Sequence, residues 1–310
     1  MIEGQEGVSW EDWLALARAC EAHRVPALFR SDHYLNLGDS PERGSLDAWA
    51  TINALAAVTT TLRLGTLVSP ATFRHPSELA KAVATADHVS GGRVELGLGA
   101  GWNEPEHRAY GFPFPPLRER MDVLAEQLEI VHGTWTGAPF SFSGEHYALE
   151  GLDAQPRPVQ APHPPLLMGG SAGPRSAALA ARWADEYNTP FASLDEVRER
   201  KAKVDEACAA AGREPIPFSL MTGCLVGLDR EELREKGAAL AYATGEPERD
   251  VDAWLAAPPE AWIVGTVDEV AARLAELRDA GLARVMLQHL LHTDLGTVEL
   301  IGRRLAPALA

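Results

Sequence analysis

The chain has 310 residues, of which 46% are hydrophobic and 23% charged, as expected of a folded protein that buries a large core. Its formal net charge of −16 makes nucleic acids and anionic membrane surfaces poor partners, because binding either one needs clustered lysine and arginine. No apolar run approaches the roughly 20 residues of a membrane-spanning helix, and the opening residues lack a signal peptide, so we expect a cytoplasmic protein.

The cysteines and paired histidines predict no metal site. Cys20, Cys208 and Cys224 are few, odd in number and widely spaced, which indicates free buried thiols rather than disulfides or a zinc centre. His289 and His292 have an H-x-x-H spacing but lack a convincing third ligand, so we interpret them as pocket or surface residues.

The opening of the chain is too short for a full buried strand. Only Met1–Glu3 precedes a turn-like 4–7 segment, so we expect a truncated, frayed first strand or a natural start further upstream. A capping box at Ser9 and Asp12 begins the first predicted helix, which extends to about His23.

A carboxylate and an imidazole come directly after the next predicted strand, 27–30. Asp32 and His33 lie just past its C-terminal end, which is where the catalytic residues of α/β barrels lie. Asp and His are also common in solvated loops, so the residues alone leave both interpretations open.

The most informative stretch is a βαβ unit over 62–101. Strand 62–68 is followed by a helix that begins near Pro76 and ends at Ser90, before a Gly-Gly pair that favours positive φ. The next strand, 93–98, leads into a glycine-rich loop. Small residues in this loop, which includes Ala100, Gly101 and Asn103, allow backbone N–H groups to approach a bound ring or phosphate.

Later segments repeat this alternation. A helix over 117–135 precedes an irregular stretch, 137–165, which we interpret as a small hairpin insertion that shapes a substrate pocket. Strand 166–168 runs into the turn Gly169-Gly170-Ser171-Ala172-Gly173 before a helix. Such a turn either binds an anion at the helix N-terminus or is a plain tight connection.

The remaining pattern completes one α/β domain over residues 1–310. Strands are predicted at 185–189, 217–226 and 284–290, with capping boxes at Ser193 and Thr266 opening two helices. The total is about eight βα units, the number that closes a barrel. The pattern is a weak match to a dinucleotide fingerprint because its third glycine would fall at Trp102, and P-loop, zincin and α/β-hydrolase motifs are missing.

These residues together resemble the bacterial luciferase-like family of flavin and deazaflavin oxidoreductases. The resemblance covers about Glu3 to Asn188 and rests on motifs in the segments 29–33, 64–68, 74–76, 90–102, 164–170 and 184–185. It implies a (β/α)8 TIM barrel, usually dimeric, with the cofactor at the C-terminal ends of the strands. The chain is most similar to the branch that uses coenzyme F420, and FMN is the alternative cofactor.

The resemblance also implies roles for individual residues. His33, with Asp32 beside it, matches the histidine near the reactive carbon of the deazaflavin. Val68 and Ser69 match a bulge behind the ring, where the Leu67–Val68 peptide is expected to be cis. Further cofactor contacts are implied by Asn103 near the ring, by Gly169, Gly170 and Ser171 in a phosphate-binding turn, and by Asn188 and Thr189 nearby.

Two departures and three functional hypotheses accompany the resemblance. Sugar-phosphate dehydrogenases of the family have a carboxylate and a tryptophan where this chain has Trp102 and Leu37, which argues against glucose 6-phosphate, and the short first strand is the second departure. The leading hypothesis is hydride transfer between F420 and a small organic substrate, with His33 as general acid or base. The alternatives are an FMN-dependent monooxygenase served by a partner reductase and a catalytically silent cofactor-binding barrel.

Overall fold

The strands of a mostly parallel β-sheet alternate with helices along the chain. The computed structural model describes residues 1–38, 40, 42–137 and 139–308. The strands are β1 Ala27–Arg30, β2 Arg63–Thr66, β3 Ser69–Pro70, β4 Val94–Gly99, β5 Phe140–Ser143, β6 Ala148–Leu152, β7 Leu166–Gly169, β8 Glu186–Pro190, β9 Phe218–Gly227, β10 Ile263–Thr266 and β11 Arg284–Gln288. The helices are α1 Trp10–His23, α2 Ala48–Val58, α3 Pro76–Ser90, α4 Glu104–Tyr110, α5 Leu117–Thr136, α6 Pro174–Trp183, α7 Leu194–Ala210, α8 Arg230–Ala243, α9 Val251–Ala256, α10 Val267–Asp279, α11 Leu295–Leu300 and α12 Ala306–Ala308, with a π-helical turn, Ile301–Leu305, before α12.

The main sheet runs in the order β1-β2-β4-β7-β8-β9-β10, with β3 paired to β4 and β11 paired to β9, and all of these pairs are parallel. Parallel strands need cover on both faces, which explains their apolar sequences. The predicted strand 27–30, the helix from Pro76 to Ser90 and the capping boxes of α1, α7 and α10 are confirmed. All three cysteines are free and buried, as predicted.

The strands described above leave the ring open between β1 and β11, so closure of the predicted (β/α)8 barrel is not confirmed. The opening lies where the sequence predicts a truncated first strand. The opening segment forms only an isolated parallel bridge, between Ile2 and Arg30. On one side the Ile2 amide donates to the Phe29 carbonyl at 2.9 Å, and on the other the His289 amide donates to the Met1 carbonyl at 2.9 Å. A segment of this length can offer few ladder hydrogen bonds, so it spans the gap without becoming a regular strand.

Strand β10 was not predicted from the sequence, and it does not lie between β9 and β11. Strand β9 pairs with β11 over Ser219–Gly223 and with β10 over Cys224–Gly227. The four residues of β10 run directly into the capping box of α10, so the pattern for a helix start hides the strand signal.

The predicted insertion contains the antiparallel pair β5–β6. Its turn is held by the Glu126 carboxylate of α5, which accepts backbone hydrogen bonds from Glu145, His146 and Tyr147 at 2.7–3.3 Å. The Tyr147 ring lies edge-on to His75, at the start of α3, with ring centroids 5.2 Å apart. This contact anchors the hairpin near the C-terminal ends of the strands.

The largest core cluster draws on residues from Ile2 to Leu305, and its aromatic members include Trp13, Trp49 and Trp135. A smaller cluster of Phe29, Leu67, Leu167 and Met286 contacts Val68. Over the described ranges, no helix has both the length and the apolar content that crossing a bilayer requires.

Candidate active site

A histidine and a buried glutamate meet at the C-terminal edge of the sheet. His33 follows β1, and Glu106 lies in the first turn of α4, just after β4. The Nδ1 atom of His33 is 2.6 Å from a carboxylate oxygen of Glu106, and the other oxygen accepts a hydrogen bond from the Tyr34 amide at 3.0 Å. Glu106 is fully buried, so its carboxylate holds both the ring and the loop that carries it.

The environment of His33 favours the protonated form of its ring. Burial alone would lower the pKa of His33, but the hydrogen bond and negative charge of Glu106 outweigh it and raise that pKa. The side chain keeps 12% exposure, and its Nε2 has no hydrogen-bond partner among the residues that the structure describes. Nε2 is therefore the atom that can meet a ligand.

Sequence reasoning did not find Glu106. The residue is 73 positions from His33, and the sequence Trp-Asn-Glu-Pro-Glu offers two carboxylates, Glu104 and Glu106. The usable signal was that both come directly after a glycine-rich strand end. Only the helical turn of α4 decides that Glu106 points inward while Glu104 is exposed.

Asp32 is adjacent to His33 in sequence but has different partners. Its carboxylate accepts hydrogen bonds from Ser69 Oγ and from Arg74, each at 2.6 Å, and it is 2% exposed. Arg74 also binds Asp47 at 2.6 Å and the Tyr34 hydroxyl at 3.0 Å. This arrangement gives Asp32 the geometry of a residue that fixes the loop, and its predicted catalytic role stays a prediction.

Val68 lies among three strand-end glycines, which make room for its side chain. The Leu67–Val68 peptide is cis, as the resemblance implied. A Cβ added to Gly97, Gly99 or Gly169 would lie 2.8–3.0 Å from a methyl group of Val68. Gly99 thus makes room for this side chain, and Gly97 makes room for the Thr66 carbonyl as well as for Val68. That the small residues also let a bound ring or phosphate approach stays a prediction.

The loop after β4 carries three predicted contacts. Gly101 has φ +78°, a conformation that favours glycine, and Ala100 is half-buried beside it. Asn103 is 8% exposed, and its carbonyl accepts a hydrogen bond from His107 Nδ1 at 2.6 Å. Within the described residues the Asn103 carboxamide has no hydrogen-bond partner, so this polar group is left for a ligand.

The glycine turn after β7 is only partly available to an anion. The Gly170 amide donates to the Asn188 carbonyl at 3.0 Å, and the Ala172 amide donates to the Tyr187 hydroxyl at 2.9 Å. In the described chain the amides of Ser171 and Gly173 have no such partner, and Gly173 is the N-cap of α6. These two N–H groups, rather than that of Gly170, fit an anion at the helix N-terminus.

Two other predicted contacts have protein partners for their side chains. Asn188 donates to Ser219 Oγ at 2.8 Å, and Thr189 accepts a hydrogen bond from Arg200 of α7 at 2.8 Å. Neither side chain is brought into contact with His33. His289, the first histidine of the H-x-x-H pair, lies 3.0 Å from the Asp294 carbonyl through Nε2 and is buried.

Residues 2–284 match the model of the luciferase-like monooxygenase family. The chain belongs to this family. The luciferase-like chain is 34% identical over 259 residues to an uncharacterised protein of Mycobacterium tuberculosis (strain ATCC 25618 / H37Rv), covering 77% of this chain and 88% of the relative. It is 30% identical to an FMNH2-dependent dimethylsulfone monooxygenase of Pseudomonas putida, covering 82% of this chain and 76% of that protein.

Further comparisons place both cofactor types among the similar proteins. An F420-dependent hydroxymycolic acid dehydrogenase of Mycobacterium tuberculosis is 31% identical, covering 65% of this luciferase-like chain and 55% of that protein. The crystal structure of the monooxygenase RslO1 from Streptomyces bottropensis superposes with a TM-score of 0.82 at 25% identity, covering 97% of this chain and 94% of that one. The family supports an oxidoreductase, and its members here use either F420 or FMN.

Proposed function

We propose that this protein is an F420-dependent oxidoreductase that transfers a hydride between the deazaflavin and a small organic substrate. The observation that carries the proposal is the pair of His33 and buried Glu106, which leaves Nε2 of His33 available at the C-terminal edge of the sheet. The similarity to an F420-dependent dehydrogenase supports the choice of cofactor.

The residues present fit a deazaflavin with a phosphate-bearing side chain. Val68 would support the ring, and the Asn103 carboxamide would supply a polar contact. The amides of Ser171 and Gly173 would hold a phosphate at the N-terminus of α6. When bound, F420 supplies a carbon atom that gives or accepts a hydride, a two-electron chemistry that does not require oxygen.

His33 would complete the proton balance of this reaction. As a hydride leaves a substrate carbon, Nε2 accepts the proton released from the neighbouring heteroatom, and in the reverse direction Nε2 returns it. Glu106 stabilises the resulting imidazolium and fixes the ring, while Asp32, Ser69 and Arg74 hold the loop in place.

An FMN-dependent monooxygenase is the second candidate, since the similarity to the dimethylsulfone enzyme extends over a larger share of this chain. In that case a partner reductase would deliver reduced flavin. Under either assignment we expect the protein to act as a homodimer.

A fluorescence titration separates the candidates. We expect F420 emission to be quenched on addition of the protein, with at least tenfold tighter binding than FMN. Tighter binding of FMN would replace the first candidate by the second. If neither cofactor binds at micromolar concentration, the proposal fails and a catalytically silent barrel is the better description.

A further inference from the structure

Large aromatic side chains are exposed beside the candidate proton donor. The Trp102 ring lies edge-on to the His33 ring, with centroids 5.5 Å apart, and Trp102 is 64% exposed. Tyr110, at the end of α4, is 50% exposed and stacks on Tyr34 at 4.9 Å. Because His33 and Tyr34 are consecutive, the two exposed rings flank the same short loop. Exposed apolar surface at such a place is typical of a ligand-binding site.

The Tyr110 ring is held in place by packing against other aromatic side chains. Tyr34, Tyr110, Phe73 and Phe112 form a connected set of rings with centroid separations of 4.9–6.0 Å. The Tyr34 hydroxyl also donates to Asp47 at 2.9 Å, which fixes the ring against which Tyr110 stacks. A wall that is already ordered loses little conformational entropy when a ligand binds.

The buried arginine next to this wall already has carboxylate partners. Arg74 contacts the Tyr34 hydroxyl and is paired with Asp32 and Asp47. The Glu106 carboxylate is bound to His33. Recognition of a phosphate or carboxylate ordinarily uses an arginine that can form bidentate contacts with it, and the Arg74 guanidinium is not free to do so.

We propose that Trp102 and Tyr110 form the substrate wall of the site and that they select an uncharged, apolar organic molecule. The wall would place the apolar body of the substrate against the indole, with its reactive carbon beside His33. This inference rests on the proposed function only in placing the reaction at this edge of the sheet. It concerns the substrate class, which does not depend on whether F420 or FMN is bound.

The test uses a homologous series of 2-alkanones from acetone to 2-octanone, with glucose 6-phosphate as the anionic comparison. Dissociation constants are measured by ligand-observed NMR on the F420-loaded protein, so no turnover is needed. We expect each added methylene to tighten binding about threefold until the wall is covered. Trp102→Ala should weaken 2-octanone binding about tenfold and flatten the series, whereas Trp102→Phe should retain most of the slope.

Trp183→Phe is the matched control, because Trp183 lies at the C-terminal end of α6, before β8 and at the opposite edge of the sheet. It should leave the series unchanged. Tighter binding of glucose 6-phosphate than of 2-octanone, or a slope that Trp102→Ala does not alter, would overturn the inference while leaving F420 binding intact. If F420 does not bind, the same series is measured on the protein alone, so failure of the proposed function remains distinguishable.

Discussion

Buried charges occur at both edges of the sheet, and the two edges use them differently. At the N-terminal edge, Arg63 binds Glu95 at 2.5 Å, while Arg284 binds Glu95 at 2.6 Å and Glu186 at 2.8 Å. These four residues come from the first or second positions of β2, β4, β8 and β11. Two positive and two negative charges therefore neutralise one another across four strands, and both carboxylates are bound by arginine.

At the C-terminal edge one group is left with an unused hydrogen-bonding atom. Glu106 binds His33 through Nδ1, and in the described residues Nε2 has no partner. In the N-terminal network every charged group is paired with another, so we expect the network to contribute to the stability of the fold. At the C-terminal edge, the unpartnered Nε2 atom of His33 can form a hydrogen bond with a ligand or exchange a proton with it. The comparison therefore predicts stability effects at one edge and activity effects at the other.

The largest expected effect is a loss of stability at the N-terminal edge. Arg284→Met removes the charge shared by Glu95 and Glu186, and we expect the free energy of unfolding to fall by about 3 kcal/mol. Urea denaturation measures this change. Arg198→Met, which breaks an exposed pair with Asp195, should change it by less than about 0.5 kcal/mol. Equal losses in the two variants would mean that the buried network contributes nothing beyond a surface pair.

The second-largest expected effect is a loss of turnover at the C-terminal edge. His33→Ala should lower turnover about 100-fold or more, as for loss of a general acid or base, while cofactor affinity stays within a few fold. Steady-state kinetics and F420 quenching measure the two quantities. His88→Ala, an exposed histidine of α3, is the control. Unchanged turnover in a folded His33→Ala protein would remove His33 from the reaction.

A smaller effect sharpens the role of Glu106. Glu106→Gln removes the negative charge that raises the pKa of His33, so the corresponding limb of the kcat/KM profile should move to lower pH. Loss of ring orientation should also lower turnover about tenfold. Glu104→Gln, two residues earlier and exposed, should leave the profile unchanged. A pH profile identical to that of the parent would show that Glu106 does not act through His33.

The same pair predicts how stability depends on pH. Because the folded-state pKa of His33 is raised, its stabilising contribution is fully present below the unfolded pKa of about 6.5 and is lost as pH rises through the folded value. The stability difference between the parent and Glu106→Gln should therefore be larger at acidic than at alkaline pH. Thermal melts across this window measure it, and a difference that does not change with pH would contradict the prediction.

The smallest expected effect is a difference in stability between variants of the two carboxylates in the N-terminal network. Arginine contacts outweigh burial and lower the pKa of Glu95, whereas burial outweighs Arg284 and raises the pKa of Glu186. Ionised Glu95 therefore stabilises the fold above the unfolded pKa of about 4.3, and this contribution is lost as pH falls through the lowered value. At pH 7 we expect Glu95→Gln to be more destabilising than Glu186→Gln by about 1 kcal/mol. Urea denaturation at pH 7 measures the difference, and the difference should shrink as the measurement is repeated at successively lower pH below about 4.

Much of this protein was predictable because its signals are local. The helix from Pro76 to Ser90 has a proline at its first position and a left-handed glycine, Gly91, at its end, so chain chemistry alone marks both boundaries. The capping box of Ser9 and Asp12 is equally local. The position of His33 directly after a predicted strand was also a local signal, and its role in catalysis stays a prediction.

Only the tertiary structure decided which groups meet. Periodicity could not show that Glu106 pairs with His33 or that Asp32 turns instead to Arg74, because these contacts join segments distant in sequence. The glycines at the end of β4 and after it predict a ligand-binding loop, and only the structure shows that Gly99 also makes room for Val68 and Gly97 for the Thr66 carbonyl. Local sequence sets backbone preferences over a few residues, whereas the direction and partner of a buried side chain depend on how whole strands and helices pack.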